Sequence, residues 1–83
     1  MAKIGIYSGT FDPVHAGHVS FARAAVQNLQ LDKLLIVPEQ RPRRKKNVTA
    51  LHHRKAMLEL AFKTEQAVFV QPLLADFVTF ASL

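Results

Sequence analysis

Three short apolar runs, separated by two stretches with helical periodicity, constrain the fold of this 83-residue chain more than any other feature. The runs are KIGIY at residues 3–7, LLIV at 34–37 and AVFV at 67–70, and proline follows the second and third runs. A continuous run such as LLIV is typical of a strand that is buried on both faces of a parallel sheet. The pattern therefore predicts three strands.

The intervening stretches predict two helices. From Ala16 onward, apolar residues recur three, four and three positions apart, at Val19, Ala22, Val26 and Leu29. Thr49 is the expected N-cap of a second helix over residues 50–63. Its buried stripe is expected to consist of Leu51, Leu58, Ala61 and Phe62. The tail, LLADFVTFASL at 73–83, fits either a loop or the first turn of a third helix.

The order β-α-β-α-β predicts an α/β fold, namely one Rossmann-like half with a three-stranded parallel sheet in the spatial order 3-2-1. Residues 1–83 are expected to form a single domain. Strand 1 would then be an uncovered apolar edge, which favours pairing with another chain. Two interpretations follow: a fragment of a longer protein, which we adopt, or a homo-oligomer formed through the edge of strand 1.

The charge distribution argues against a nucleic-acid-binding face. Of the 11 basic residues behind the net charge of +5, five lie within residues 41–46, and the other six balance the six acidic residues. A polyphosphate explains one basic loop as well as a polynucleotide does. The sequence contains no cysteine, signal peptide or apolar run of membrane-spanning length, so we expect a cytoplasmic protein without a membrane partner.

Residues 8–18, SGTFDPVHAGH, lie where the first strand turns into the first helix. Open α/β sheets bind ligands at this junction, and a helix N-terminus offers free N–H groups and a positive dipole end to a phosphate. Gly9 and Gly17 permit close approach. His15 and His18 can point the same way around the first helical turn and add donors that can carry charge. The alternative, a Gly/Pro turn with two surface histidines, does not account for GTFDP in this context.

With these motifs the chain resembles the N-terminal half of the H-x-G-H nucleotidylyltransferase superfamily, which has a Rossmann-like fold. Within it, the chain is similar to the bacterial nicotinate mononucleotide adenylyltransferases. The matching residues are GTFDPVHAGH at 9–18, Val37-Pro38, Pro42 with Lys45, and His53-Arg54 with Met57 and Ala61. The family's P-P-H-K loop reads PRRK here, at 42–45, and its downstream I-S-S-T-x-x-R segment has no counterpart.

The resemblance implies transfer of an adenylyl group from ATP to nicotinate mononucleotide, with release of pyrophosphate. It implies catalytic roles for His15, His18 and Lys45, and no metal held directly by the protein, because Mg²⁺ would be carried by the ATP phosphates. The implied nucleotide-binding residues are Ser8, Gly9, Thr10, Phe11, Gly17 and Arg54. For Phe11 we expect packing against the sheet in preference to stacking on a base.

Three alternatives to this function stay open at this point. The first is another transfer in the same superfamily, either adenylyl transfer to phosphopantetheine or cytidylyl transfer. The second is a catalytically silent nucleotide-binding module. The third, a small basic nucleic-acid binder, gives no reason for GTFDPVHAGH and ranks last. The expected partners are therefore ATP and a mononucleotide acceptor, with no nucleic acid.

Overall fold

The five predicted elements occur in the predicted order in a computed structural model that describes residues 2–40 and 47–71. They are β1 (Ile4–Gly9), α1 (Ala16–Asn28), β2 (Lys33–Pro38), α2 (Leu51–Ala61) and β3 (Val68–Val70). Lys45 and the tail after residue 71 lie outside the described residues, so the expectations placed on them are not addressed by the fold. No helix in the described part of the chain is long and apolar enough to cross a membrane.

The three strands form a parallel sheet in the order β1-β2-β3, which confirms the predicted order. Strand β1 extends two residues further than expected. Ser8 and Gly9 pair with Val37 and Pro38, and the Gly9 carbonyl accepts a hydrogen bond of 2.8 Å from the Glu39 N–H. The expected strand end at residue 7 was wrong because ladder pairing with β2 continues through the residues taken for a turn.

Both helices pack on the same face of the sheet. Leu34 and Ile36 of β2 are buried on that face, together with Ala22 of α1 and with Leu58 and Phe62 at the end of α2. Side chains alternate along a strand, so the opposite face carries Ile6, Leu35 and Phe69, which are aligned by the strand register. Ile6 and Phe69 are exposed there. Strand β1 is an edge of the described sheet, as expected.

The predicted helix stripes are largely confirmed. Ala22 and Leu58 are fully buried, and Val19 and Val26 pack against the core. Leu29 was wrongly included, since it is 59% exposed. It is the C-cap residue, at the end of α1, and its spacing in the sequence gave no signal of this exposure.

A two-point ion pair connects α1 with the turn before β3. Nε and Nη2 of Arg23 donate to the two carboxylate oxygens of Glu65 at 2.8 and 2.9 Å. This hydrogen bonding lowers the pKa of the Glu65 carboxyl and raises that of Arg23. The bidentate geometry joins two segments 42 residues apart in the sequence.

Substituting Glu65→Gln should therefore lower the free energy of unfolding at neutral pH. Because the folded-state pKa of Glu65 is below its ordinary value of 4.5, the contribution is complete above that pH and disappears as the pH falls below it. Urea unfolding at pH 7 and pH 3 measures the difference. Glu59→Gln is the control, since the ion pair of Glu59 with Lys55 is long, with 3.9 Å between Oε2 and Nζ. An equal loss in both variants would contradict the assignment.

Candidate functional site

A pocket lies at the carboxyl end of β1, where the loop after that strand meets the start of α1 and the residues that precede α2. The residues lining it are Thr10, Phe11, Asp12, Pro13, His15, His18, Asn47 and Val48. The pocket lies where the sequence predicted a phosphate-binding site, and His15 and His18 both line it. Asn47 and Val48 were not predicted, because nothing in the sequence places the residues before α2 beside the first loop.

His15 and His18 cap the N-terminus of α1 reciprocally. His15 is the N-cap residue, with extended backbone, and its Nδ1 accepts a hydrogen bond of 3.1 Å from the Gly17 N–H. Nδ1 of His18 accepts one of 3.0 Å from the His15 N–H. This is the capping-box arrangement, formed here by two imidazoles in place of the usual Ser/Thr and Glu/Gln. The three-residue spacing of the histidines is the sequence signal for it.

The capping bonds determine where each neutral ring carries its proton. A ring nitrogen that accepts a hydrogen bond is unprotonated, so the N–H of the neutral imidazole is at Nε2. The two rings stack, with centroids 3.8 Å apart and planes 28° apart. Two Nε2–H donors therefore stand beside each other at the positive end of the α1 dipole, an arrangement suited to an anionic oxygen.

The neutral form of His18 is favoured in this setting. Partial burial, and in second place the neighbouring His15, lower the pKa of His18 below its ordinary value of 6.5. Protonation at Nδ1 would also place a second hydrogen against the His15 N–H and remove the capping bond. From the sequence, both histidines were expected to be donors that can carry charge; for His18 the geometry favours a neutral donor.

Gly17 is needed for this arrangement. A Cβ at this position would lie 2.9 Å from Cε1 and 3.0 Å from Nδ1 of His15. Real Cβ atoms essentially never come within 3.0 Å of another heavy atom in this way, so a side chain here requires the His15 ring to shift. The predicted role of Gly17 in binding a nucleotide directly is untested and stays a prediction.

Phe11 packs in the core, as expected. It is 4% exposed, belongs to the buried cluster, and makes edge contacts with the rings of Tyr7 and His18. Its backbone has a φ of 51°, which turns the chain sharply after β1. Gly9 permits this turn because a Cβ there would meet the Phe11 ring at 3.3 Å. The Phe11 ring thus packs against the His18 ring and also lines the pocket.

Asp12 joins the first loop to the start of α2. Its Oδ2 accepts a hydrogen bond of 2.8 Å from the Thr49 N–H. Thr49 is not the N-cap of α2; Ala50 is, without a side-chain capping bond. The predicted cap was wrong by one residue: the Ala50 carbonyl accepts the Arg54 N–H at 3.2 Å and opens the helix, while the Thr49 carbonyl accepts from the Arg54 side chain.

Arg54 occupies the interior behind these loops, with 1% of its surface exposed. Its Nε donates to the Thr49 carbonyl at 2.7 Å, and Nη1 donates to the carbonyls of Thr10 and Glu39 at 3.1 and 2.6 Å. This burial does not favour the direct nucleotide contact expected from the resemblance. The carbonyl contacts were missed because main-chain acceptors have no sequence signature.

The remaining predicted residues divide into two groups. Ser8 and Gly9 end β1 beside the pocket, and Thr10 lines it. Lys45 lies outside the described residues, so its catalytic role stays a prediction. No group of three or more His, Asp or Glu side chains within residues 2–40 and 47–71 is arranged to hold a metal ion.

Comparison with known proteins assigns the chain to a family. A profile of the family described as Cytidylyltransferase-like matches residues 6–74, which is most of the chain. The chain belongs to the cytidylyltransferase-like family. Its curated relatives include the "Probable nicotinate-nucleotide adenylyltransferase" of Gemmatimonas aurantiaca, 40% identical over 72 residues, and that of Bacillus cytotoxicus, 46% identical over 67 residues.

The chain spans about a third of the length of these relatives. The two alignments cover 86% and 78% of the chain, but 34% and 35% of the relatives. Among solved structures, the Plasmodium falciparum nicotinic acid mononucleotide adenylyltransferase complexed with NaAD matches with a TM-score of 0.79. The match covers 89% of this chain and 38% of that chain, at 22% identity. This similarity confirms the Rossmann-like fold of this cytidylyltransferase-like chain.

The lowered pKa of His18 predicts a stability change in weakly acidic solution. Between the folded-state pKa and about pH 6.5 the unfolded chain binds more protons, so the free energy of unfolding falls as the pH decreases through this window. His18→Gln should reduce this dependence, because Gln at the same position can still accept the capping bond but does not titrate. Urea unfolding at half-unit pH steps measures the dependence. Identical pH profiles for the two proteins would exclude this role of His18.

Gly17→Ala should change the position of the His15 ring while changing the free energy of unfolding only slightly. Loss of the His15 cap costs about 1 kcal/mol, and replacing Gly by Ala in a helix regains up to about 1 kcal/mol, so the net change in the free energy of unfolding should be small. The His15 ring should nevertheless move. Urea unfolding and imidazole ¹⁵N chemical shifts measure the two effects. Unchanged His15 shifts would show that the ring accommodates a Cβ.

Proposed function

We propose that the pocket at the start of α1 binds the phosphates of ATP, and that the protein to which this chain corresponds transfers the adenylyl group to nicotinate mononucleotide. The observation that carries the proposal is the pair of stacked, mutually capping histidines, which directs two Nε2–H donors outward from a helix N-terminus. Family membership and the names of the relatives support the choice of reaction.

The reaction requires positioning more than reactive side chains. An oxygen of the acceptor phosphate attacks the α-phosphorus in line, forming a new P–O bond, while the bond to the bridging oxygen breaks and pyrophosphate leaves with the electron pair. Negative charge grows on the phosphate oxygens as this happens. Donors that are already oriented lower the barrier because they need no reorganisation.

His15 and His18 are the proposed donors in this step. Their Nε2–H groups would hydrogen-bond to oxygens of the triphosphate, and the dipole of α1 would add positive potential. Lys45, as implied by the resemblance, would add a further positive charge. Mg²⁺ belongs to the ATP substrate, and the carboxylate among the described lining residues is that of Asp12, which already accepts the Thr49 N–H.

The test measures ATP binding by the 83-residue chain by calorimetry, together with pyrophosphate release when nicotinate mononucleotide is added. His18→Gln should weaken ATP binding about tenfold or more, since a hydrogen bond to a charged group contributes about 1.5–3 kcal/mol. His52→Gln is the matched control, because His52 is exposed on α2. Equal affinities for wild type and His18→Gln would refute the assignment.

The same experiment separates the remaining alternatives. Binding of ATP without pyrophosphate release indicates a nucleotide-binding module. Replacing ATP by CTP, or the acceptor by phosphopantetheine, tests the other transfers of the superfamily. Absence of ATP binding would overturn the proposal as a whole.

A further inference from the structure

Arg54 is a buried charged side chain that the proposed reaction does not use. Moving a guanidinium out of water is costly unless its N–H groups find acceptors. Its partners among the described residues are main-chain carbonyl oxygens: Thr49 for Nε, Thr10 and Glu39 for Nη1, and Gln40 for Nη2 at 3.5 Å. No buried side-chain nitrogen or oxygen in the described part of the chain is left without a partner. The donors of Arg54 therefore point into the protein.

These carbonyls belong to three different segments. Thr10 follows β1 and lines the pocket, Glu39 follows β2, and Thr49 lies two residues before the start of α2. A planar guanidinium has N–H groups in fixed directions, so it can hold three segments in one relative arrangement. A single side chain thereby bonds to the residue after β1, to the residue after β2 and to a residue just before α2.

Two further contacts connect this network to the capping histidines. The Thr49 peptide is held from both sides, since its carbonyl accepts from Arg54 and its N–H donates to Asp12. Thr10 is followed by Phe11, whose ring packs edge-on against His18 at 5.0 Å between centroids. A displacement of the Thr10 carbonyl would therefore also move the Phe11 ring, which packs against the His18 ring.

We propose that Arg54 is a positioning residue of the nucleotide pocket: it orients the pocket through the carbonyls of Thr10, Glu39 and Thr49 and does not contact the nucleotide. This inference rests on the proposed function, since it concerns affinity for ATP. The proposed role requires N–H donors in the fixed directions of a guanidinium, which a positive charge alone does not supply. Lysine, with a compact ammonium group, cannot reach acceptors in three directions with the same geometry.

The test compares Arg54→Lys with the wild-type chain below the unfolding temperature of both. Backbone amide shifts should change at residues 10–18 and 47–49, whereas the Arg23 and Glu65 amides keep their wild-type shifts. The dissociation constant for ATP should rise about tenfold to 100-fold, the scale on which small displacements of binding groups act. Lys55→Met is the control on the same helix, because it removes a positive charge from a side chain that is 42% exposed. Its ATP affinity should stay within about twofold of wild type.

Two results would overturn the inference. One is wild-type ATP affinity in folded Arg54→Lys; the other is shift changes confined to α2. If wild-type chain does not bind ATP, the proposed function fails, but the amide shifts of the free protein still test the positioning role.

A measurement on the wild-type chain covers the case in which Arg54→Lys does not fold. The ¹⁵N-bound protons of the Arg54 guanidinium should exchange slowly with solvent and keep their shifts when ATP is added, while the Nε2 signals of His15 and His18 move. Guanidinium shifts as large as the imidazole shifts would show that Arg54 contacts the nucleotide, and would refute the proposal.

Discussion

The parallel pairing of β1 with β2 is the constraint on which the rest of the structure depends. Six residue pairs, from Ile4 with Lys33 to Gly9 with Pro38, bring the two strands to an end at the same level. Parallel strands need a crossover, which α1 supplies, so the N-terminus of α1 lies beside the end of β1. The pocket, the capping histidines and the carbonyls held by Arg54 all lie at this end of the pair.

The groups that stabilise this end of the sheet also form the candidate site. Nδ1 of each histidine satisfies a backbone N–H that a helix start would otherwise leave without a partner, while Nε2 remains for a ligand. Arg54 likewise has two roles: its buried guanidinium is satisfied by main-chain carbonyls, and the same hydrogen bonds hold three segments of the chain together. The contacts that stabilise this end of the sheet therefore also shape the candidate site, whereas the Arg23–Glu65 ion pair lies away from the pocket.

Much of the fold and the place of the site could be predicted because they depend on local patterns. Strand runs, helical spacing and the H-x-G-H segment follow from neighbouring residues, and they identified the sheet order and the position of His15 and His18. The predictions were wrong where a residue's local structure depends on a contact with a residue far away in the sequence. Ser8 and Gly9 join β1 through pairing with β2, and Thr49 is held by Asp12 and Arg54 instead of capping α2.

The sequence by itself determined the element order, the face that each helix buries, and the junction at which two imidazoles meet a helix N-terminus. These features depend on periodicities of two and 3.6 residues and on short spacings. Only the tertiary structure decided which atoms of those imidazoles are available, that Asn47 and Val48 line the pocket, and that Arg54 is buried against carbonyl oxygens. The physical reason is that main-chain acceptors are the same at every residue, so their partners depend on how distant segments pack.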